Sequence, residues 1–239
     1  MYAELVLKDK QIQVNHIRGT DRTKIDINED SIPDTNLMEG FKMCDEYVEE
    51  VNRNLTNGLA KARLLAQYAH AGQVDKAGKP YFMHAEKVSR TVGNLINSWE
   101  HPSCDFFLKA RIVGYLHDIV EDTEITIADL TEHEIPADCI LAIEVITKTE
   151  GTPYQTYLAK VKSSKLASVV KIADMMHNSD LTRLDQITPK DLARQAKYQQ
   201  AITYLSEFTC TQCGKTLPLA EMGERQSRSG EIVCEGCLD

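Results

Sequence analysis

From about Asp45 to Phe208 the apolar residues return at helical spacing in one segment after another, and this recurrence limits the fold more than any other feature. "MCDEYVEEVNRNLTNGLAKARLLAQYAHAG" supports one or two helices ending near Gly72. "PYFMHAEKVSRTVGNLINSW" and "CDFFLKARIVGYLHDIVED" follow, with "HPSC" as a break between them. Shorter periodic runs come next in "TIADLTEHEI", "ADCILAIEVITKT" and "YQTYLAKVKS". "KLASVVKIADMMHNSDLTRL" and "PKDLARQAKYQQAITYLSEF" complete the set, and Thr126, Thr188 and Pro189 stand where helix starts need them. So many apolar stripes can be buried only against one another, so the main body is expected to be all-α.

The flanks differ from this body. In residues 1–43, "ELVLKDKQIQVNHI" reads as a β-hairpin and "RGTDRTKIDINEDSIPDTN" as loop or linker. At the other end, residues 209–239 hold Cys210, Cys213, Cys234 and Cys237 as two CxxC pairs with twenty residues between them. That spacing is expected to form a four-cysteine zinc ribbon, a closed structural Zn2+ site that folds a piece too small to bury a core. The division expected is therefore 1–43 extension, 44–208 helical domain and 209–239 ribbon. The 239 residues suit one substantial domain with appendages.

Two function classes recede on charge and hydropathy. No window approaches the roughly 18 apolar residues of a membrane span, and "MYAELVLKDKQIQ" lacks the plan of a secretory signal, so a cytoplasmic protein is expected. The net charge of -9 argues against general binding to nucleic acid, although a few local cations suffice for a small anionic ligand. The two arginines of "ERQSRSGE" would sit at the ribbon tip, where contact with a protein partner or a second copy is expected before nucleic acid.

"GYLHDIVEDTEIT" carries the chemistry. On a continuous helix turning about 100° per residue, with His117 at zero, Glu121 falls near 40°, Asp118 near 100° and Asp122 near 140°. The apolar residues Ile112, Val113, Leu116, Ile119 and Val120 fill the opposite arc. Gly114, near 60° by the same ~100° step, would leave the acidic face open. Such a face suits solvent, but an adjacent imidazole and carboxylate can also chelate one divalent ion. Two segments could complete that site: "GKPYFMHAEKV" offers His84, and "VVKIADMMHNSDLTRL" offers Asp174 behind an apolar run, with Asn178 one turn on. Either residue alone also has an ordinary structural reading. Together, two histidines and two aspartates suit manganese, iron, cobalt or zinc better than calcium.

Taken in order, "AHAGQVDKAGKPYFMHAEKV", "YLHDIVEDTEIT", "EVITKTEG" and "VVKIADMMHNSDLTRL" resemble the successive motifs of the HD-domain alarmone hydrolases. These are the hydrolase domain of the Rel/SpoT proteins and its stand-alone small relatives. The resemblance spans roughly residues 55–205. It implies an all-helical HD domain that removes the 3′-pyrophosphate from (p)ppGpp, usually with manganese. It also implies His84, His117, Asp118 and Asp174 as metal ligands, Glu121 and Asp122 as the catalytic acid pair, and Asn178 near the nucleotide sugar. Nearby cations expected to offset leaving-group charge are Lys76, Lys148 and Arg183.

Two departures bear on the substrate. The family usually has an arginine where this chain has Asp75, and Arg-Leu where it has Met175-Met176. Those positions serve the guanine base and its surroundings. Another nucleotide such as NADPH is therefore an alternative substrate, and a non-catalytic nucleotide sensor is the alternative of a different class. Alarmone synthesis is not expected, because the roughly 60 residues after Leu184 are too few for a domain of about 100–150.

Overall fold

The computed structural model describes residues 3–7, 10–16, 23–27, 48–75, 77–99, 103–184, 186–223 and 232–237. Strands β1 (Ala3–Leu7), β2 (Lys10–His16) and β3 (Thr23–Ile27) form an antiparallel meander in that order. Leu7 stands opposite Lys10, and Ile12 opposite Ile27. β3 falls where the sequence reads as loop. "TKIDI" nevertheless alternates β-branched and charged residues, the period of two that a strand requires.

Nine α-helices among the described residues follow: α1 (Val48–Ala69), α2 (Phe82–Asn97), α3 (Cys104–Leu116), α4 (Ile119–Asp122) and α5 (Ile127–Glu132), then α6 (Ala137–Ile146), α7 (Tyr154–Lys162), α8 (Lys165–Asn178) and α9 (Pro189–Leu205). Their starts obey local chemistry. Ser103 and Ser164 accept the amides of Phe106 and Ala167, and Thr126 and Thr188 close capping boxes with Asp129 and Asp191. No helix among the described residues is long and apolar enough to cross a membrane.

α3 is the axle of the bundle. Phe107, Leu108, Ile112, Val113 and Leu116 are buried on it, with α1, α2 and α8 packed around. Each such side chain contributes about 1.5–3 kcal/mol when fully removed from water. The α2–α3 contact is unusually close. A Cβ added to Gly114 would lie 2.7 Å from Ser89 Cα. Gly114 therefore admits the backbone of α2, and the expected open acidic face at this position is not what the glycine provides.

The C-terminal segment is pinned to the helices. β4 (Glu207–Thr209) and β5 (Thr216–Pro218) pair antiparallel, and Phe208, Cys210, Leu219, Met222, Val233 and Cys234 join the same buried cluster as the bundle. Lys165, buried at the start of α8, donates to the Ala220 carbonyl at 2.9 Å and pairs with Glu235 at 3.2 Å. Its ammonium also lies 5.2 Å from the ring centres of Trp99 and Phe106.

Candidate metal centre

The centre is assembled from three places on the bundle. His84 sits in the first turn of α2, after a loop in which Asp75 Oδ1 accepts the amides of Ala77 at 2.8 Å and Lys79 at 2.9 Å. Gly78, at φ +72°, supplies the left-handed turn inside that loop. Asp174 lies in the last turns of α8. His117 and Asp118 lie between α3 and α4.

That junction corrects the continuous helix expected from the sequence. α3 ends at Leu116, Asp118 adopts φ −105°, ψ 0°, and the Glu121 and Asp122 amides close a new turn on the Asp118 carbonyl at 3.1 and 2.9 Å. The break has a chemical consequence. Neighbours on a regular helix point about 100° apart, whereas here His117 Nε2 and Asp118 Oδ2 come within 2.9 Å. The Gly114 carbonyl, in the last turn of α3, accepts from His117 Nδ1 at 2.9 Å, so Nε2 is the ring nitrogen left to face the cluster.

His84 Nε2 completes the cluster, 3.2 Å from His117 Nε2, 3.5 Å from Asp118 Oδ2 and 3.3 Å from Asp174 Oδ1. His117 Nε2 and Asp174 Oδ1 are 3.7 Å apart. Ligands bound to one ion at about 2.0–2.2 Å stand about 3.0–3.5 Å from each other. The four donor atoms, mutually within 4.8 Å, have the separations of one ion's ligands. Their surroundings hold the two carboxylates in place. Tyr81 donates its hydroxyl to Asp118, Asn178 Nδ2 donates to Asp174 Oδ1, and Lys171 pairs with Asp174 Oδ2 at 2.9 Å.

Burial would raise the Asp118 and Asp174 carboxyls. The imidazolium of His117 and, for Asp174, the ammonium of Lys171 outweigh burial and hold both well below the usual range. Burial would likewise lower His117, yet Asp118 and Asp174 push it up to about 10. Protons on the histidines thus balance the carboxylates, and they must leave when a metal arrives.

Glu121 and Asp122 border this cluster and are exposed. Partial desolvation, and then the Asp118 carboxylate, raise the Glu121 carboxyl above its usual value although the Lys148 amide donates to its Oε1 at 2.8 Å. Lys148 thus offers its backbone to the acid pair. Gln73 bridges His70 and the Asp122 carbonyl, each at 2.8 Å.

Beside His84 opens a cavity of 260 Å³ whose wall includes Asp75, Tyr81, Asn178, Asp180, Arg183, Arg194 and Tyr198. Of the cations expected from the sequence, the structure brings Arg183 to this cavity, and Lys76 lies outside the described residues. Arg183 is bound there to Asp75 and to His177. Lys171, His177, Tyr81 and Arg194 were not singled out from the sequence. Lys171 and His177 each lie three residues from Asp174, one helical turn, which is the signal that could have found them.

Among the described residues the second metal-capable group is Cys210, Cys213, Cys234 and Cys237, with sulfur atoms within 4.8 Å of one another. Tetrahedral thiolates around zinc stand about 3.8 Å apart, and Cys213 and Cys234 Sγ are 3.9 Å apart. The Cys213 and Cys234 amides point at Cys210 Sγ, from 3.5 and 3.4 Å, and lower its thiol to about 6. The tip arginines of "ERQSRSGE" lie outside the described residues.

No profile of a known protein family matches the chain. Curated relatives do. It is 28% identical over 174 residues to the protein named putative GTP diphosphokinase RSH1, chloroplastic, of Oryza sativa subsp. japonica, covering 64% of this chain and 18% of that one. It is 27% identical over 145 residues to the guanosine-3′,5′-bis(diphosphate) 3′-pyrophosphohydrolase of Borreliella burgdorferi, covering 55% and 20%. With the enzyme of the same name from Haemophilus influenzae it shares 26% over 146 residues, covering 56% and 20%. The chain thus spans about a fifth of the length of the curated relatives it matches. A solved metazoan ortholog of SpoT, described as hydrolysing ppGpp and playing a role in starvation responses, superposes with a TM-score of 0.50 at 19% identity, over 62% of this chain and 84% of that one. That likeness establishes the fold. In sequence and in fold, the helical body is similar to the HD-domain alarmone hydrolases.

Proposed function

We propose that the chain is a metal-dependent phosphohydrolase that removes the 3′-pyrophosphate of (p)ppGpp, leaving GDP or GTP and pyrophosphate. The observation that carries this reading is the convergence of His84, His117, Asp118 and Asp174 beside an acid pair and a cavity, in a chain similar to proteins named for that reaction. The four donors would hold one divalent ion, with manganese the first expectation. Such an ion lowers the pKa of its water toward 7 and so supplies a nucleophile at neutral pH.

The chain's own residues do the rest. Glu121, held by the Lys148 amide and raised by desolvation and Asp118, takes up a proton more readily than an ordinary glutamate. Asp122 stands beside it. Asn178 steadies Asp174 and reaches the cavity, and Arg183 and Arg194 meet an anionic substrate there. The cysteine cluster would hold a structural zinc, and its docking on Lys165 gives it a part in folding, with contacts to partners or second copies a further role. The expected setting is the cytoplasm.

A second reading is favoured by one residue. Asp75 neutralises Arg183 and puts a carboxylate on the cavity wall, which supports a different nucleotide such as NADPH. Anion-exchange analysis of manganese-loaded protein incubated with ppGpp, pppGpp, NADPH and nucleoside triphosphates separates the two, with Asp118→Ala as control. GDP and pyrophosphate from ppGpp are expected. Cleavage of another nucleotide alone would replace the substrate, and no cleavage at all would favour a nucleotide sensor.

A further inference from the structure

His84 is held from outside the metal centre by side chains to which the reaction above gives no such part. For Nε2 to offer its lone pair to an ion, Nδ1 must keep the ring's proton and needs an acceptor. The atom 2.6 Å from His84 Nδ1 is Nδ1 of His177. Two ring nitrogens at that distance share one hydrogen. His177 therefore accepts at Nδ1 and carries its own proton on Nε2. The two rings also lie nearly parallel, 26° apart, with centres 4.8 Å from one another.

Arg183 keeps His177 in that role. Its Nη1 donates to the His177 carbonyl at 3.0 Å and lies 3.2 Å from His177 Nδ1, so the guanidinium fixes the ring and its charge opposes a second proton there. Arg183 is fixed in turn by Asp75, whose other oxygen is tied to the amides of Ala77 and Lys79. Asp75 and Arg183 also line the cavity. Polar contacts thus run from the cavity wall, through Asp75, Arg183 and the carbonyl and ring of His177, to a metal ligand.

We propose that Asp75, Arg183 and His177 form a positioning relay that orients His84, and through it ties metal affinity to the wall of the 260 Å³ cavity. The proposal rests on the metal-centre reading and deepens it. A phosphate group entering the cavity meets Arg183, and its arrival is felt at His84 as well as at the substrate. Partners of this kind typically change metal affinity by about 10–100-fold.

The test compares two variants of one shape. His177→Asn keeps an acceptor oxygen at the place of Nδ1, whereas His177→Leu has the same branching and none. Manganese is titrated into the full chain, with zinc already in the ribbon, and free ion is read by electron paramagnetic resonance. The leucine variant is expected to bind about 10–100-fold more weakly, and the asparagine variant close to the parent. Equal affinities in the two variants overturn the relay. Should the leucine variant fail to fold by circular dichroism, Arg183→Leu carries the test, with weaker binding expected and unchanged binding overturning it. A parent chain that takes up no more manganese than a His117→Ala control overturns the metal-centre reading itself.

Discussion

Replacing Gly114 by alanine tests how the centre is held together. The added methyl would sit 2.7 Å from Ser89 Cα, 3.1 Å from its nitrogen and 3.3 Å from its Cβ. Carbon atoms in contact prefer about 3.5–4.0 Å, so α2 must retreat by about 0.8 Å or more. Two of the three contacts are backbone, which cannot turn aside as a side-chain end does. Overpacking of this kind costs about 1–3 kcal/mol, and the better helix propensity of alanine returns about 1 kcal/mol. With a rigid neighbour the upper half of that range applies, for a net loss of about 1–2 kcal/mol. For a chain of this size that lowers Tm by roughly 2–8 °C. His84 rides on the helix that must move, and His117 is oriented by the Gly114 carbonyl. Metal sites tolerate donor displacements of only about 0.2 Å, so manganese affinity should fall at least about 10-fold. Scanning calorimetry and manganese titration read the two effects. A Gly114→Ala chain at least as stable as the parent, with unchanged affinity, would refute the close-approach account.

Three further outcomes are expected. Lys171→Met takes the ammonium from the buried Asp174 carboxylate and leaves it no charged partner but His84 and His117, and chemical denaturation of the metal-free chain should show a loss of about 1–3 kcal/mol; a loss too small to measure would remove Lys171 from the site's charge balance. In a chain whose His/Asp centre is removed by His117→Ala, Cys234→Ser should abolish the remaining zinc uptake, read by elemental analysis, and also lower the Tm of the helices, because Cys234 belongs to their buried cluster; an unchanged Tm would mean that the ribbon folds apart from the bundle. Although burial would raise the Asp75 carboxyl, the Lys79 and Ala77 amides and Arg183 hold it below its ordinary value, so its contribution is complete above the unfolded pKa of about 3.9 and is lost as pH falls through the lower folded value. The Ala77 and Lys79 amide resonances should report that acid transition, and Asp75→Asn should abolish it.

The sequence disclosed residue types more fully than directions. Helical period placed α2, α8 and α9 closely, because apolar stripes are local signals, and Thr188 and Pro189 mark the start of α9 as well. It could not place the break after Leu116, since no proline or glycine stands between Leu116 and Ile119 to mark the spot. The break is favoured by what the side chains reach, and those atoms come from α2 and α8. Gly114 was legible as a glycine with a purpose, but whether it admits a ligand or a neighbouring helix depends on Ser89, 25 residues earlier. Asp75 looked like a departure from an expected arginine. Only the fold reveals that Arg183, 108 residues on, stands against it.

The parts that hold the ion and the parts that meet the substrate are built to different mechanical standards. The donors stand on α2, α8 and the end of α3, helices whose contact at Gly114 and Ser89 leaves no room for adjustment. Change there strikes the core as well as the chemistry. The cavity wall, by contrast, draws on the loop around Asp75 and the segment from Asp180 to Leu184, where side chains pair across open space. Substitutions in such segments cost little stability. The proposed metal chemistry can therefore persist while the choice of nucleotide shifts. The relay through His177 sets the limit to that freedom, because a change at Asp75 that releases Arg183 also loosens His84.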